Sequence, residues 1–415
     1  MFRFPKFDFS KFDASKFDRP PRGGPDHDAS GPGADRLAER MARFQRVQTE
    51  ALAKWARTYG QPGASQGPAG SDGTTLDMEA PEAPGGAWTA PRSGQERARA
   101  AEPELDLSGL MRTLRAGRPV SRGRPPVAVP PGARFEERVF TGAAGSRRYK
   151  VYVPSGYTGQ ALPLVVMLHG CTQDPDDFAA GTQMNAVAEQ QTFLVAYPAQ
   201  AQTANPQRCW NWYAAGDQAR EGGEPELIAG IARAVLAEFS ADPSRVYAAG
   251  LSAGGAAAAI LAATYPDLFA AVGIHSGLAC GAARDLPGAL AAMKGQAKPA
   301  RTNRQGVPTI VFHGDGDRTV HPANGDQVMA QAGTDPGLTE TVTRDTSPGG
   351  IAYTRTIRSD AGGRPVQEQW LLHGAGHAWS GGSPAGSYTE PRGPDASRAM
   401  LRFFLSHALE PRART

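Results

Sequence analysis

A chain of 415 residues with a formal net charge of +3 has room for roughly two or three domains and too little excess charge to mark a nucleic-acid binder. Its 50 glycines and 35 prolines exceed what a compact fold uses, so part of the chain is expected to lack a core. No apolar run is long enough to span a bilayer, and three cysteines allow at most one intramolecular disulfide and show no metal-ligand spacing.

The opening residues, Met1-Phe2-Arg3-Phe4-Pro5-Lys6, lack the apolar core of a secretory signal. Lys-Phe-Asp recurs at Lys6-Phe7-Asp8, Lys11-Phe12-Asp13 and Lys16-Phe17-Asp18. That spacing fits neither a helix nor a strand. It reads as a sticker motif on a flexible tail, or as a tail with no partner. Residues 35–59 read as a helix that Asp35 can cap and Gly60 can end. Leu37, Met41, Phe44, Ala51 and Trp55 share one face, broken only by Gln48, and Arg36, Arg40, Arg43, Lys54 and Arg57 occupy the others. Such a basic amphipathic helix either folds back on the rest of the chain or lies on an apolar surface or partner helix. Glycine, proline, serine and alanine then dominate to about residue 104, a linker composition. Residues 1–133 are therefore expected to form a low-complexity extension.

From Phe135 the pattern changes. Tyr149, Val151 and Val153 alternate as in a strand. Leu164–Leu168 and Phe193–Tyr197 are continuous apolar runs, as in strands buried on both faces. Helices are expected over Met184–Gln191 and Glu226–Phe239. Further strands are expected at Arg245–Ala249, Ala270–Ile274, Thr309–Phe312 and Gln369–Leu372, and a last helix at Asp395–Leu405. Strands alternating with helices over residues 134–410 indicate an α/β fold, a mostly parallel sheet covered on both faces.

Gly250-Leu251-Ser252-Ala253-Gly254 joins one such strand to an alanine-rich helix, the setting of a nucleophile elbow. Ser252 would stand at the apex with its hydroxyl exposed, and the Ala253 amide would point to the same spot beside the positive end of the helix. Asp315 and Asp317 follow the strand ending at Phe312, and either could orient a histidine. His377 follows the last strand through Gly374-Ala375-Gly376, and the chain order Ser, Asp, His makes it the expected general base. His169, His275, His313 and His321 lack that late position. Gly170 after an early strand permits close approach, so the Cys171 amide is the expected second oxyanion donor. Trp210, Trp212, Tyr213 and Trp379 offer flat apolar surface for an acyl chain, or else pack in the core.

Four motifs in order resemble the polyhydroxybutyrate depolymerase family of esterases, a branch of the α/β-hydrolase superfamily. They are Leu168-His169-Gly170-Cys171-Thr172-Gln173, Cys209-Trp210-Asn211-Trp212-Tyr213, Ala249-Gly250-Leu251-Ser252-Ala253-Gly254-Gly255, and the stretch from Gly374 through His377 and Trp379 to Gly382. The likeness covers about residues 135–407 and leaves the extension unmatched. It implies Ser252 as nucleophile, Asp317 as acid and His377 as base, with no metal or organic cofactor. The implied substrates are short-chain 3-hydroxyacyl esters, polymeric or oligomeric. Feruloyl or acetyl-polysaccharide esters are the alternative, and a granule-binding protein with a secondary hydrolase domain is another. The resemblance also implies that Cys171 and Cys209 approach each other, leaving Cys280 free. The expected location is cytoplasmic with granule association through the extension, secretion being the alternative.

Overall fold

A computed structural model describes residues 127–297, 306–333 and 336–410. The Lys-Phe-Asp repeat and the helix expected at 35–59 lie outside the described residues. Among the described residues no helix is long and apolar enough to cross a membrane.

Ten strands form one sheet. β1 (Arg134–Gly142) and β2 (Gly145–Val153) make an antiparallel hairpin at one margin. β3 (Leu164–Leu168), β4 (Leu194–Pro198), β5 (Val246–Leu251), β6 (Ala271–His275) and β7 (Thr309–Gly314) form the centre. β8 (Thr339–Thr346), β9 (Ala352–Ser359) and β10 (Pro365–Leu372) complete it, in the order β1-β2-β4-β3-β5-β6-β7-β10-β9-β8. Neighbours from β4 through β10 are parallel, and the pairs at both margins are antiparallel. The fold is thus the mostly parallel α/β sheet expected.

The central strands read as unbroken apolar runs because both faces are covered. Leu164, Val166 and Leu168 of β3 enter one core, and Val165 and Met167 the other. The first core is closed by α3 (Gly223–Glu238) and α4 (Ala253–Thr264), with α5 (Leu286–Met293) and α6 (Ala323–Gln331) beside them. The second is closed by α1 (Pro175–Thr182), α2 (Met184–Gln191) and α7 (Ala396–Phe404). α7 starts at Asp395, whose side chain accepts the Arg398 amide, a cap contributing about 1 kcal/mol. Its inner face buries Met400, Leu401, Phe403 and Phe404, and Phe404 stacks on Tyr247 of β5 with ring centroids 5.0 Å apart. Each such side chain contributes about 1.5–3 kcal/mol by leaving water.

Candidate active site

Ser252 sits where β5 turns into α4. Its backbone is at φ 58° and ψ −119°, a region costly for any residue with a Cβ and one that needs support from its surroundings. Part of that support is a hydrogen bond from the Ser252 amide to the carbonyl of His275, at 2.9 Å. Two glycines make the turn sterically possible. A methyl group at Gly254 would lie 2.0 Å from the Leu168 carbonyl oxygen, and one at Gly250 would lie 2.3 Å from the Gly254 carbonyl carbon. Helix and strand therefore approach more closely than any other residue allows. The Ser252 hydroxyl makes no capping bond to the helix it precedes, so it is not committed to local structure, unlike most serines at this position.

Asp317 and His377 lie past the carboxyl ends of β7 and β10. His377 Nδ1 donates to Asp317 Oδ2 at 2.7 Å, which leaves its Nε2 as the basic nitrogen. The Asp317 side chain is fully buried. Its Oδ1 accepts the amides of Thr319 at 2.8 Å and Val320 at 2.9 Å. Burial raises its pKa, but the facing His377, the hydrogen bond from it, His313 and the Val320 amide outweigh burial and hold the carboxyl near 2. His313 lies 3.5 Å from Asp317 Oδ2, yet burial lowers its pKa and its Nε2–H donates to the Val320 carbonyl at 2.8 Å. It supports the loop that presents Asp317.

Asp315 is the other acid in this loop. It pairs instead with His373, Oδ2 to Nδ1 at 2.8 Å, with both side chains about two-fifths exposed. Its Oδ1 accepts the Gly374 amide at 2.6 Å. The Asp315–His373 contact thus clips the loop after β7 to the loop that carries His377. Ser252 joins the same assembly through His275, whose carbonyl accepts the Ser252 amide and whose Nε2 accepts the Ser380 amide at 3.0 Å. Burial drives the His275 pKa down to about 3, so it acts as a neutral acceptor.

The loop after β3 passes beside the serine: a methyl group at Gly170 would lie 3.7 Å from Ser252 Cβ. This loop is held from several sides. The Gly170 amide donates to Gln173 Oε1 at 2.9 Å, the Thr172 amide to the Gln207 carbonyl at 2.6 Å, and Trp210 Nε1 to the His169 carbonyl at 3.1 Å. A Cys171–Cys209 disulfide, with Cα atoms 4.2 Å apart, joins it to the tryptophan loop, and Cys280 is a half-buried free thiol. Ala253 follows the serine as the first residue of α4.

The four aromatic residues expected to face an acyl chain separate into two groups. Trp210 and Trp379 are enclosed in the cores, which corrects their reading as cleft surfaces. Both indole N–H groups have internal partners, the His169 carbonyl and the Ser397 hydroxyl, and Trp379 stacks on His275. Their buried polar tips are satisfied, so the rings pack as core. Trp212 is also buried, with its ring edge-to-face against Tyr213, and Tyr213 is half-buried. The residues that brace the site, Gln173, Gln200, Glu224 and His275, were not legible as such. Gln173 alone carried a local signal, a polar side chain three residues after the loop glycine.

The sequence profile of the family described as esterase PHB depolymerase matches residues 147–346. Poly(3-hydroxyalkanoate) depolymerase C of Paucimonas lemoignei is 35% identical over 239 residues, which cover 54% of this chain and 57% of that protein. Feruloyl esterase B of Thermothelomyces thermophilus is 30% identical over 236 residues, covering 51% of this chain and 77% of that protein. Among solved structures, an acetyl xylan esterase from Aspergillus awamori superposes with a TM-score of 0.51 at 20% identity, covering 65% of this chain and 99% of that one, a likeness of fold. The chain thus spans little more than half the length of depolymerase C.

Proposed function

The chain belongs to the PHB depolymerase family of esterases, and from that premise we propose that it is a carboxylic ester hydrolase acting through an acyl-enzyme on Ser252. The observation that carries the reading is Ser252 itself, held at φ 58° with its hydroxyl unused by the helix it begins. Ser252 Oγ attacks the ester carbonyl while His377 Nε2 takes its proton. Asp317 stabilises the imidazolium so formed, and the amides of Cys171 and Ala253 hold the oxyanion. His377 returns the proton to the leaving alcohol. A water molecule activated by the same imidazole then releases the acid and frees Ser252.

Depolymerase C supports short-chain 3-hydroxyacyl esters, polyhydroxybutyrate or its oligomers, as substrates. The larger share of feruloyl esterase B that is matched, 77% against 57% of depolymerase C, favours a second reading, feruloyl or acetyl-polysaccharide esters. Turnover of p-nitrophenyl butyrate, amorphous polyhydroxybutyrate and methyl ferulate separates them. Release of 3-hydroxybutyrate oligomers with no ferulate is expected, and the reverse pattern would replace the first reading by the second.

The Cys171–Cys209 bond favours an oxidising compartment, since such bonds are reduced in a typical cytosol. It supports the secreted alternative over the cytoplasmic one. The extension is proposed to attach the enzyme to polymer granules. Deleting residues 1–126 is expected to leave p-nitrophenyl butyrate turnover unchanged and to reduce sedimentation with granules. Equal sedimentation of both forms would sink the attachment.

A further inference from the structure

Glu224 lies in the first turn of α3, beneath the tryptophan loop, with 6% of its surface exposed. Nothing in the mechanism uses it, yet its two oxygens accept three hydrogen bonds. Its Oε2 accepts the Asn211 amide at 2.7 Å, and its Oε1 accepts Asn211 Nδ2 at 2.8 Å and the Gln200 side-chain amide. Gln200 extends the network in two directions. Its backbone amide donates to His169 Nε2 at 3.1 Å, and its side chain also donates to the Cys209 carbonyl at 2.9 Å. His169 immediately precedes Gly170 and Cys171, and Cys209 is bonded to Cys171. One carboxylate therefore grips both sides of the disulfide arch that passes Ser252.

We propose that Glu224 is a positioning residue for ester hydrolysis: through Gln200 and Asn211 its carboxylate sets the His169–Cys171 loop so that the Cys171 amide faces the oxyanion. This rests on the Ser252 reading above. All three contacts to its oxygens come from N–H donors, so the ionised form fits the network. A proton on the carboxyl would turn an acceptor into a donor against one of them.

Burial and the neighbouring Asp217 carboxylate push the Glu224 carboxyl up to about 7, against the pull of Gln200, the Asn211 amide and Arg147. The other ionisable groups facing it are few. Asp217 Oδ1 accepts the Glu224 amide at 2.8 Å. Arg147 of β2 and Tyr213 act through their charge or potential charge. His169, pushed down to about 4 by burial, is neutral in this range. Pro225 and Ile228 of α3 and Ala257 and Ile260 of α4 line the same small cavity as Glu224. Because the folded pKa is raised, the competent carboxylate is lost as pH falls through about 7. Protonation should then bring wild-type kcat/KM down toward that of a neutral side chain at this position.

The test is E224Q in the full chain, assayed on p-nitrophenyl butyrate from pH 5 to 9 beside wild type and S252A. An amide keeps the shape but opposes one N–H. The expected result is a kcat lower by about 10- to 100-fold at pH 9, the range for a misplaced oxyanion donor, a KM little changed, and a ratio of wild-type to E224Q kcat/KM that shrinks toward one as pH falls to 5. Unchanged kcat in E224Q, or a ratio that stays constant across this range, overturns the proposal. Should E224Q fail to fold, Q200A, which cuts the carboxylate's link to the Cys209 carbonyl, replaces it, and an unchanged kcat in Q200A overturns the proposal as well. Activity in S252A would instead overturn the serine reading on which the inference rests, and the inference with it.

Discussion

Alanine at position 252 will lower ester turnover by about 10⁴-fold or more, the loss seen when an activated nucleophile is removed and only binding and oxyanion contacts are left. The fold will hardly notice. The Ser252 hydroxyl caps nothing, and the amide bond to His275 survives because it belongs to the backbone. Alanine and serine meet the same steric cost at φ 58°, so the substitution adds no strain. The melting temperature is therefore expected to stay within about 2 °C of wild type. Kinetics on p-nitrophenyl butyrate and a thermal melt check both halves. A variant that keeps about a tenth of the wild-type rate would place the nucleophile elsewhere.

The second large effect separates two neighbouring acids. Asp317→Asn should cost about 10⁴-fold in kcat, because an amide can turn its N–H toward His377 and favour the wrong imidazole tautomer. Asp315→Asn should cost only a few-fold, since its partner His373 is exposed and Asp315 acts as a clip between loops. The two variants also differ in stability. The Asp317 carboxyl is held near 2 from an ordinary 3.8. A depressed acid stabilises the fold above its unfolded pKa, and that contribution is lost as pH falls from about 4 toward 2. For this buried group the shift corresponds to about 2 kcal/mol at neutral pH. Denaturant melts at pH 7 and pH 3 should show Asp317→Asn destabilised at pH 7 and closer to wild type at pH 3. If Asp315→Asn is the more damaging to kcat, the acid has been misassigned.

What could be read from the sequence follows from burial. β3 and β5 are buried at every position, so Leu164–Leu168 and the strand expected at Arg245–Ala249 stand out in the sequence. β8 is exposed at all eight positions. Thr339–Thr346 pairs only with β9 and covers no core, so it left no hydrophobic period to detect. The helix α1 carries a local signal in Asp174-Pro175: the Asp174 side chain caps the first turn and Pro175 opens the helix. At the site, the elbow was legible because steric necessity put glycines around Ser252. Spacing alone leaves Asp315 and Asp317 equivalent, because both follow β7 within three residues and only their partners differ; the family resemblance is what points to Asp317. Trp210 and Trp379 could be read as cleft surface because the partners of their buried indoles, the His169 carbonyl and the Ser397 hydroxyl, lie 41 and 18 residues away in the chain. Glu224 reads in sequence as an ordinary acid in a helix's first turn. Its partners Gln200 and Asn211 are distant in the chain, so only the folded structure brings them together.

The central claim, that Ser252 is the nucleophile activated by His377, is most directly tested by covalent trapping. Wild-type protein, S252A and H377A would be incubated with a fluorophosphonate, which reacts with activated serines, and the adducts located by peptide mass spectrometry. One adduct is expected, on the peptide carrying Ser252, with none in S252A and much slower labelling in H377A. Undiminished labelling of S252A, or an adduct on another residue of the wild type, would contradict it.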